Sequence, residues 1–175
     1  MTVAVPAGTT AKNYDLPVTF TAGGTTVRET LTVEVHPRTS ATNLATSGTA
    51  TASCVEGDGQ YPQFDPKYAA DGDLTTRWSS CGDDGAWLQV QLPQQATLGK
   101  VVLHWETAYG KAYDIETSPD GSTWTKAASV TDGDGGTDTV YLDGAPNARY
   151  VRMQGVERGT QYGFSLYEFQ VYPVA

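Results

Sequence analysis

The feature that most restricts this chain is a succession of short runs in which apolar and polar residues alternate, cut apart by turn residues. The runs are Tyr14–Phe20, Thr25–Val35, Trp87–Leu92, Leu98–Trp105, Ala112–Thr117, Trp124–Val130, Thr137–Leu142, Arg149–Val156 and Phe164–Tyr172. A period of two puts one face of a strand against a core and the other in solvent. Between runs lie Gly23-Gly24, Pro119-Asp120-Gly121 and Asp132-Gly133-Asp134-Gly135-Gly136, residue types suited to tight turns. No stretch of about a dozen residues carries helical periodicity. The chain is therefore expected to be all-β, a sandwich or jelly roll.

Its 175 residues suit one ordinary domain plus a fragment. Residues 1–36 read as strand, turn, strand, and a hairpin of that size cannot bury a core of its own. Residues 37–42 are polar, contain Pro37 and lack periodicity, as a linker would. A larger domain is expected over 43–175. Within it the Gly-, Pro- and Asp-rich stretch 54–76 holds no clear strand, and long irregular loops on a β scaffold tend to be functional or stapled by metal.

The net charge of -9 disfavours nucleic acid and anionic membrane as partners. The acids either serve solubility or, in part, face a cationic ligand such as an amino sugar. No run reaches the ~18 apolar residues of a membrane span. Met1-Thr2-Val3 is followed by Pro and Gly rather than by a signal peptide, so Met1 reads as a start placed within a longer polypeptide. The two cysteines, Cys54 and Cys81, favour a disulfide if the chain is secreted. Of two histidines, His36 sits at the linker and His104 is out of phase with Leu103 and Trp105, facing solvent. No Ser/His/Asp set, zinc spacing or phosphate loop is present, and no enzymatic activity is expected.

Five segments in order carry a resemblance: Asn43-Leu44-Ala45, AADGDLTTRWSS (69–80), WLQVQL (87–92), VVLHWETAYGKAYDIETSPDGSTW (101–124) and ARYVRMQGVERGTQYGFSLYEFQVY (148–172). Together they resemble the discoidin, or coagulation factor 5/8 type C, superfamily in its carbohydrate-binding branch, carbohydrate-binding module family 32. The segment from Trp105 to Ser118 and the ending from Arg158 to Phe169 look closest to discoidin domains attached to chitosanases and β-glucanases. Residues 1–36 resemble the last strands of Ig-like modules of bacterial glycosidases. The resemblance implies a discoidin-like β-sandwich after a partial Ig-like segment. Its implied role is a secreted, monomeric, non-catalytic module that targets a glycoside hydrolase to an oligo- or polysaccharide. A structural spacer, or an adhesion domain without sugar binding, is the alternative.

Asp71-Gly72-Asp73-Leu74-Thr75-Thr76 can aim several oxygens at one point, as calcium requires. Read from the loop alone, a plain Asp-Gly turn with Glu168 in a salt bridge is the favoured alternative. The resemblance implies a structural calcium held by the Tyr68 carbonyl, Asp71, Asp73, Thr76, the Tyr167 carbonyl and Glu168. Asp132–Gly136 lacks a spaced closing carboxylate and reads as a solvated turn.

The resemblance also implies a sugar site on loops at one end of the sandwich, at Glu56, Arg77, Glu106 and Tyr162. Tyr162 would stack on a sugar ring, Glu56 and Glu106 would accept from hydroxyls or an ammonium, and Arg77 would donate. The bland alternatives are an Arg77–Glu106 ion pair and an ordinary exposed acid at Glu56. Tyr109 and Tyr61 could line the edge, whereas Trp78, Trp87, Trp105 and Trp124 are expected in the core. The relatives offer an aromatic in the loop after Trp78, where this chain has Cys81-Gly82-Asp83-Asp84-Gly85. A Cys54–Cys81 disulfide across the two flanking loops is expected. Gluco-configured or amino-sugar ligands are favoured.

Overall fold

The computed structural model describes residues 2–6 and 8–175. They form two compact units, the first ending at Arg38 and the second running from Thr39 to Ala175.

In the first unit, β1 (Lys12–Ala22) and β2 (Thr25–Val35) form an antiparallel hairpin closed at Gly23-Gly24. Both glycines have positive φ, which a two-residue hairpin turn demands. The ribbon is two-stranded, and Phe20 and Val27 stay exposed on it.

The second unit is a sandwich of two antiparallel sheets. Its strands are β3 (Thr49–Ala52), β4 (Trp78–Ser79), β5 (Trp87–Trp105), β6 (Gly110–Ser118), β7 (Thr125–Val130), β8 (Thr137–Tyr141), β9 (Asn147–Arg158) and β10 (Ser165–Pro173). One sheet runs β3-β5-β9-β6-β7 and the other β4-β10-β5-β8. The 19-residue β5 belongs to both. Its first half, Trp87–Gln91, pairs with β9, and its second half, Lys100–His104, pairs with β8. A register irregularity between Gln91 and Ala96 precedes the crossing, which falls between Thr97, still paired with β9, and Leu98, paired with β10; a strand changes sheets through such a bulge or bend. The alternation runs Leu88, Val90, Leu92 before the crossing and Val101, Leu103, Trp105 after it, so both halves bury one face in the same core. Trp87–Leu92 and Leu98–Trp105, separate as sequence runs, are one strand.

The core gathers Trp78, Tyr113, Phe164, Phe169, Ile115, Met153 and the β5 residues, all buried. Trp78 Nε1 donates to the Cys54 carbonyl at 3.2 Å, and the other two polar aromatic groups are satisfied together. Trp105 Nε1 and Tyr113 OH both donate to Asp138 Oδ2, at 2.8 and 2.6 Å. The expectation of four core tryptophans is corrected: Trp78 and Trp105 are buried, but Trp87 and Trp124 are half-buried on the outer sheet face. Leu88 and Val90 take the inward phase, which turns Trp87 outward. There the Arg152 guanidinium sits 4.2 Å from the Trp124 ring and 6.0 Å from Trp87, and pairs with Glu116.

Residues 39–42, whose composition suggests a linker, dock onto the sandwich. Thr39 bridges Val174 and the Ser40 N–H donates to the Pro173 carbonyl. Asn43 Oδ1 then accepts from the N–H groups of Ala45 and Val171, anchoring the chain start to β10. Stretch 54–76 holds no strand; it winds through 3-10 turns at Glu56–Gly59, Pro62–Phe64 and Pro66–Ala69.

Candidate functional site

At one end of the sandwich, four loops meet around a cleft of about 570 Å³. They are the 54–77 stretch, the β4–β5 loop, the residues after β5, and the β9–β10 loop. Glu56, Arg77, Glu106 and Tyr162, all named from sequence, border this one cleft, with Ser79, Cys81 and Ala108 between them.

Each side chain is held by its local backbone. The Ser79 hydroxyl donates to Glu56 Oε2 at 2.8 Å, while Gly57 and Asp58 take left-handed φ to turn the chain there. Glu106 Oε2 accepts from the Ala108 N–H at 3.0 Å, and the Glu106 N–H donates to the Ser165 carbonyl. Arg77 donates from Nη1 to Ser165 Oγ at 2.8 Å and lies 4.3 Å from the Phe64 ring centroid. Phe64 and Ser165 thus occupy Arg77; an Arg77–Glu106 ion pair is not formed among the described residues. Tyr162 is 64% exposed at the rim, a flat aromatic face with nothing stacked on it among the described residues. The cleft therefore offers two carboxylates, a guanidinium and an open aromatic ring.

Tyr109 does not line the cleft, contrary to expectation. Its ring is half-buried between Gly135 and Gly159, where added Cβ atoms would come within 3.2 and 2.3 Å of it. Tyr61 packs edge-on to Phe64 at 6.0 Å and lies beside Gly57, outside the lining. Sequence reasoning missed Phe64, Ser165 and Ser79. Phe64, flanked by prolines in a polar loop, was the one with a visible signal: an aromatic there has no local core to join.

Cys54 and Cys81 form a disulfide with Cα atoms 5.7 Å apart, joining the loop that carries Glu56 to the β4–β5 loop.

The 71–76 loop lies against β10. The Gly72 N–H donates to Glu168 Oε1 at 2.7 Å, and the Thr76 hydroxyl lies 2.9 Å from Asp71 Oδ2 and 3.0 Å from the Asp73 carbonyl. The Asp73 carboxylate closes its own turn, accepting from the Thr75 hydroxyl and N–H, which hold it below its usual range. Glu168 is 0% exposed, and its Oε2 has no hydrogen-bond partner. Burial, with the nearby Asp71 charge adding to it, pushes its carboxyl up to about 7. A register shift between Leu166 and Glu168 leaves Tyr167 outside the ladder. An orphaned buried carboxylate oxygen beside a second carboxylate, a hydroxyl and irregular backbone suits a hard cation. No cluster of three or more His, Cys, Asp or Glu forms among the described residues, so such an ion would rely on carbonyls and hydroxyls.

Residues 47–169 match the F5/8 type C domain family. The chain belongs to that family. The crystal structure of chitosan-binding module 1, from a chitosanase/glucanase of Paenibacillus sp. IK-5, is 45% identical, with a TM-score of 0.68 over 75% of this F5/8 type C chain and 98% of that one. Module 2 of the same enzyme, solved with chitotriose, is 38% identical with a TM-score of 0.69, over 74% and 99%. A polysaccharide lyase 8 family protein, HylA of Enterococcus faecalis, is 34% identical over 143 residues, or 75% of this chain. The chain spans only 10% of that lyase's length.

Proposed function

We propose that this F5/8 type C domain is a non-catalytic carbohydrate-binding module whose site is the cleft of Glu56, Arg77, Glu106 and Tyr162. The observation that carries the reading is the convergence of an unstacked tyrosine, two acids and a braced arginine in one loop cleft. Tyr162 would take the C–H face of a sugar ring. Glu56 and Glu106 would accept from hydroxyls or from an ammonium, and Arg77, steadied by Phe64 and Ser165, would donate. Two carboxylates and likeness to modules that bind chitosan favour an amino-sugar or gluco-configured glycan. One stacked ring and a few hydrogen bonds suggest a Kd between about 1 mM and 1 μM.

A structural calcium belongs to the same proposal. Asp71, Thr76 and Glu168 would hold it with the carbonyls of Tyr68, Asp73 and Tyr167, pinning the long loop to β10. The Cys54–Cys81 disulfide supports an extracellular setting, in which the module would direct a larger glycan-degrading enzyme to its substrate.

The test is a titration with chitosan, laminarin, galactose and mannose oligosaccharides, followed by amide chemical shifts, with Tyr162→Ala in parallel. Shifts confined to the four loops for one sugar class, and lost in the variant, are expected. Absence of shifts with every sugar at millimolar concentration would sink the proposed site.

A further inference from the structure

Behind the cleft's rim, a series of contacts joins its two lips. Arg158, the last residue of β9, donates from Nε to Asp84 Oδ1 at 2.7 Å, and its own N–H reaches the same oxygen at 3.0 Å. Its Nη1 lies 3.4 Å from the Gln161 carbonyl and 3.3 Å from that of Tyr162. One guanidinium thus grips the β4–β5 loop and the tyrosine loop at once. Asp84 lies three residues past Cys81, whose disulfide leads to Cys54, two residues before Glu56. The tie therefore runs from the Glu56 lip, through the disulfide and Asp84, to the backbone of Tyr162.

The surrounding backbone is shaped to admit it. Gly159 lies flush on the Tyr109 ring and donates its N–H to the Tyr109 carbonyl at 2.8 Å, which sets where the tyrosine loop departs. Gly82 lies beside the guanidinium, where an added Cβ would sit 3.4 Å from Arg158 Nη1. The Asp84 side chain is 53% exposed and that of Arg158 24%, so the pair adds little to global stability.

We propose that Asp84 and Arg158 form a positioning latch that fixes the Tyr162 loop in its binding conformation before ligand arrives. The inference rests on the reading of this cleft as a glycan site. Its physical basis is the ordering cost of binding: a loop held in place beforehand loses less freedom when a sugar docks. Arginine suits the task because its planar fork serves a carboxylate and two carbonyls together, which a lysine ammonium on a flexible stem does not. The loop Cys81-Gly82-Asp83-Asp84-Gly85 then contributes by bracing the site.

Arg158→Met, Asp84→Ala, Asp84→Asn, the Arg158→Met/Asp84→Ala double variant and Tyr162→Ala test the latch through two readouts. These are the 15N heteronuclear NOE of residues 160–163 without ligand, and the Kd for chitotriose. Arg158→Met and Asp84→Ala should lower the NOE and weaken binding about five- to tenfold, the loss expected when one loop must be ordered on binding. Their Tm should stay at the wild-type value. The double variant should cost no more than either single change, and Asp84→Asn, which keeps an acceptor oxygen, should restore both readouts. If Arg158→Met leaves the NOE and the Kd unchanged while Tyr162→Ala weakens binding, the latch is overturned and the site stands. A lowered NOE with an unchanged Kd would equally overturn it, since the ordered loop would then not serve binding. Unchanged chitotriose binding in Tyr162→Ala would overturn the reading of the cleft itself.

Discussion

Glu168 carries its carboxylate where water does not reach, with one oxygen unpartnered and Asp71 nearby. In metal-free protein its folded carboxyl titrates at about 7, above the ordinary 4.5, so the folded state holds the proton more tightly than the unfolded one. This contribution to stability is complete below the lower value and is lost as pH rises through the upper. Metal-free protein should therefore unfold at lower urea concentration at about pH 8 than at about pH 5, and saturating calcium should remove the difference. A metal-free midpoint independent of pH would contradict the environment assigned to Glu168. At this scale residue types were legible but their packing was not. Glu56, Arg77, Glu106 and Tyr162 were named through the family resemblance, and they border one cleft. Tyr109 was misread because two glycines distant in sequence, Gly135 and Gly159, close over its ring.

Among the elements, β5 and the 54–76 stretch differ most in how they present themselves in sequence. The alternation of β5 shows two runs, because the inward phase reverses where the strand crosses between sheets. β3 and β4 have only four and two residues, too few for a period to show. The 54–76 stretch reads as irregular and is so, its order coming from 3-10 turns and the disulfide. Closing a loop of this separation stabilises by about 3–4 kcal/mol in the chain-entropy account. Cys54→Ser/Cys81→Ser should lose about that amount in urea unfolding and should also bind chitotriose more weakly, because the Glu56 lip is freed. Full stability in the variant would mean that the turns alone order the stretch.

For the molecule as a whole, the two units differ in what sustains them. The second unit encloses a contiguous core from Ala45 to Val171, whereas the first is a two-stranded ribbon. A chain of residues 39–175 should therefore keep the Tm and the chitotriose affinity of the 175-residue protein. A fall in either would show that the hairpin supports the domain. The amino-acid sequence by itself determined the all-β class, the hairpin and most strand positions, while the groups at the cleft were carried over from the family resemblance. Alternation and turn residues are local properties, and the class, the hairpin and the strands follow from them. Only the tertiary structure decided that β5 serves both sheets, that Trp87 and Trp124 flank Arg152 outside the core, and that Arg77 is taken by Phe64 and Ser165. It also decided that Asp84 reaches Arg158 across 74 positions of chain. Those outcomes depend on which distant segments share a surface, and a local pattern carries no information about its partner.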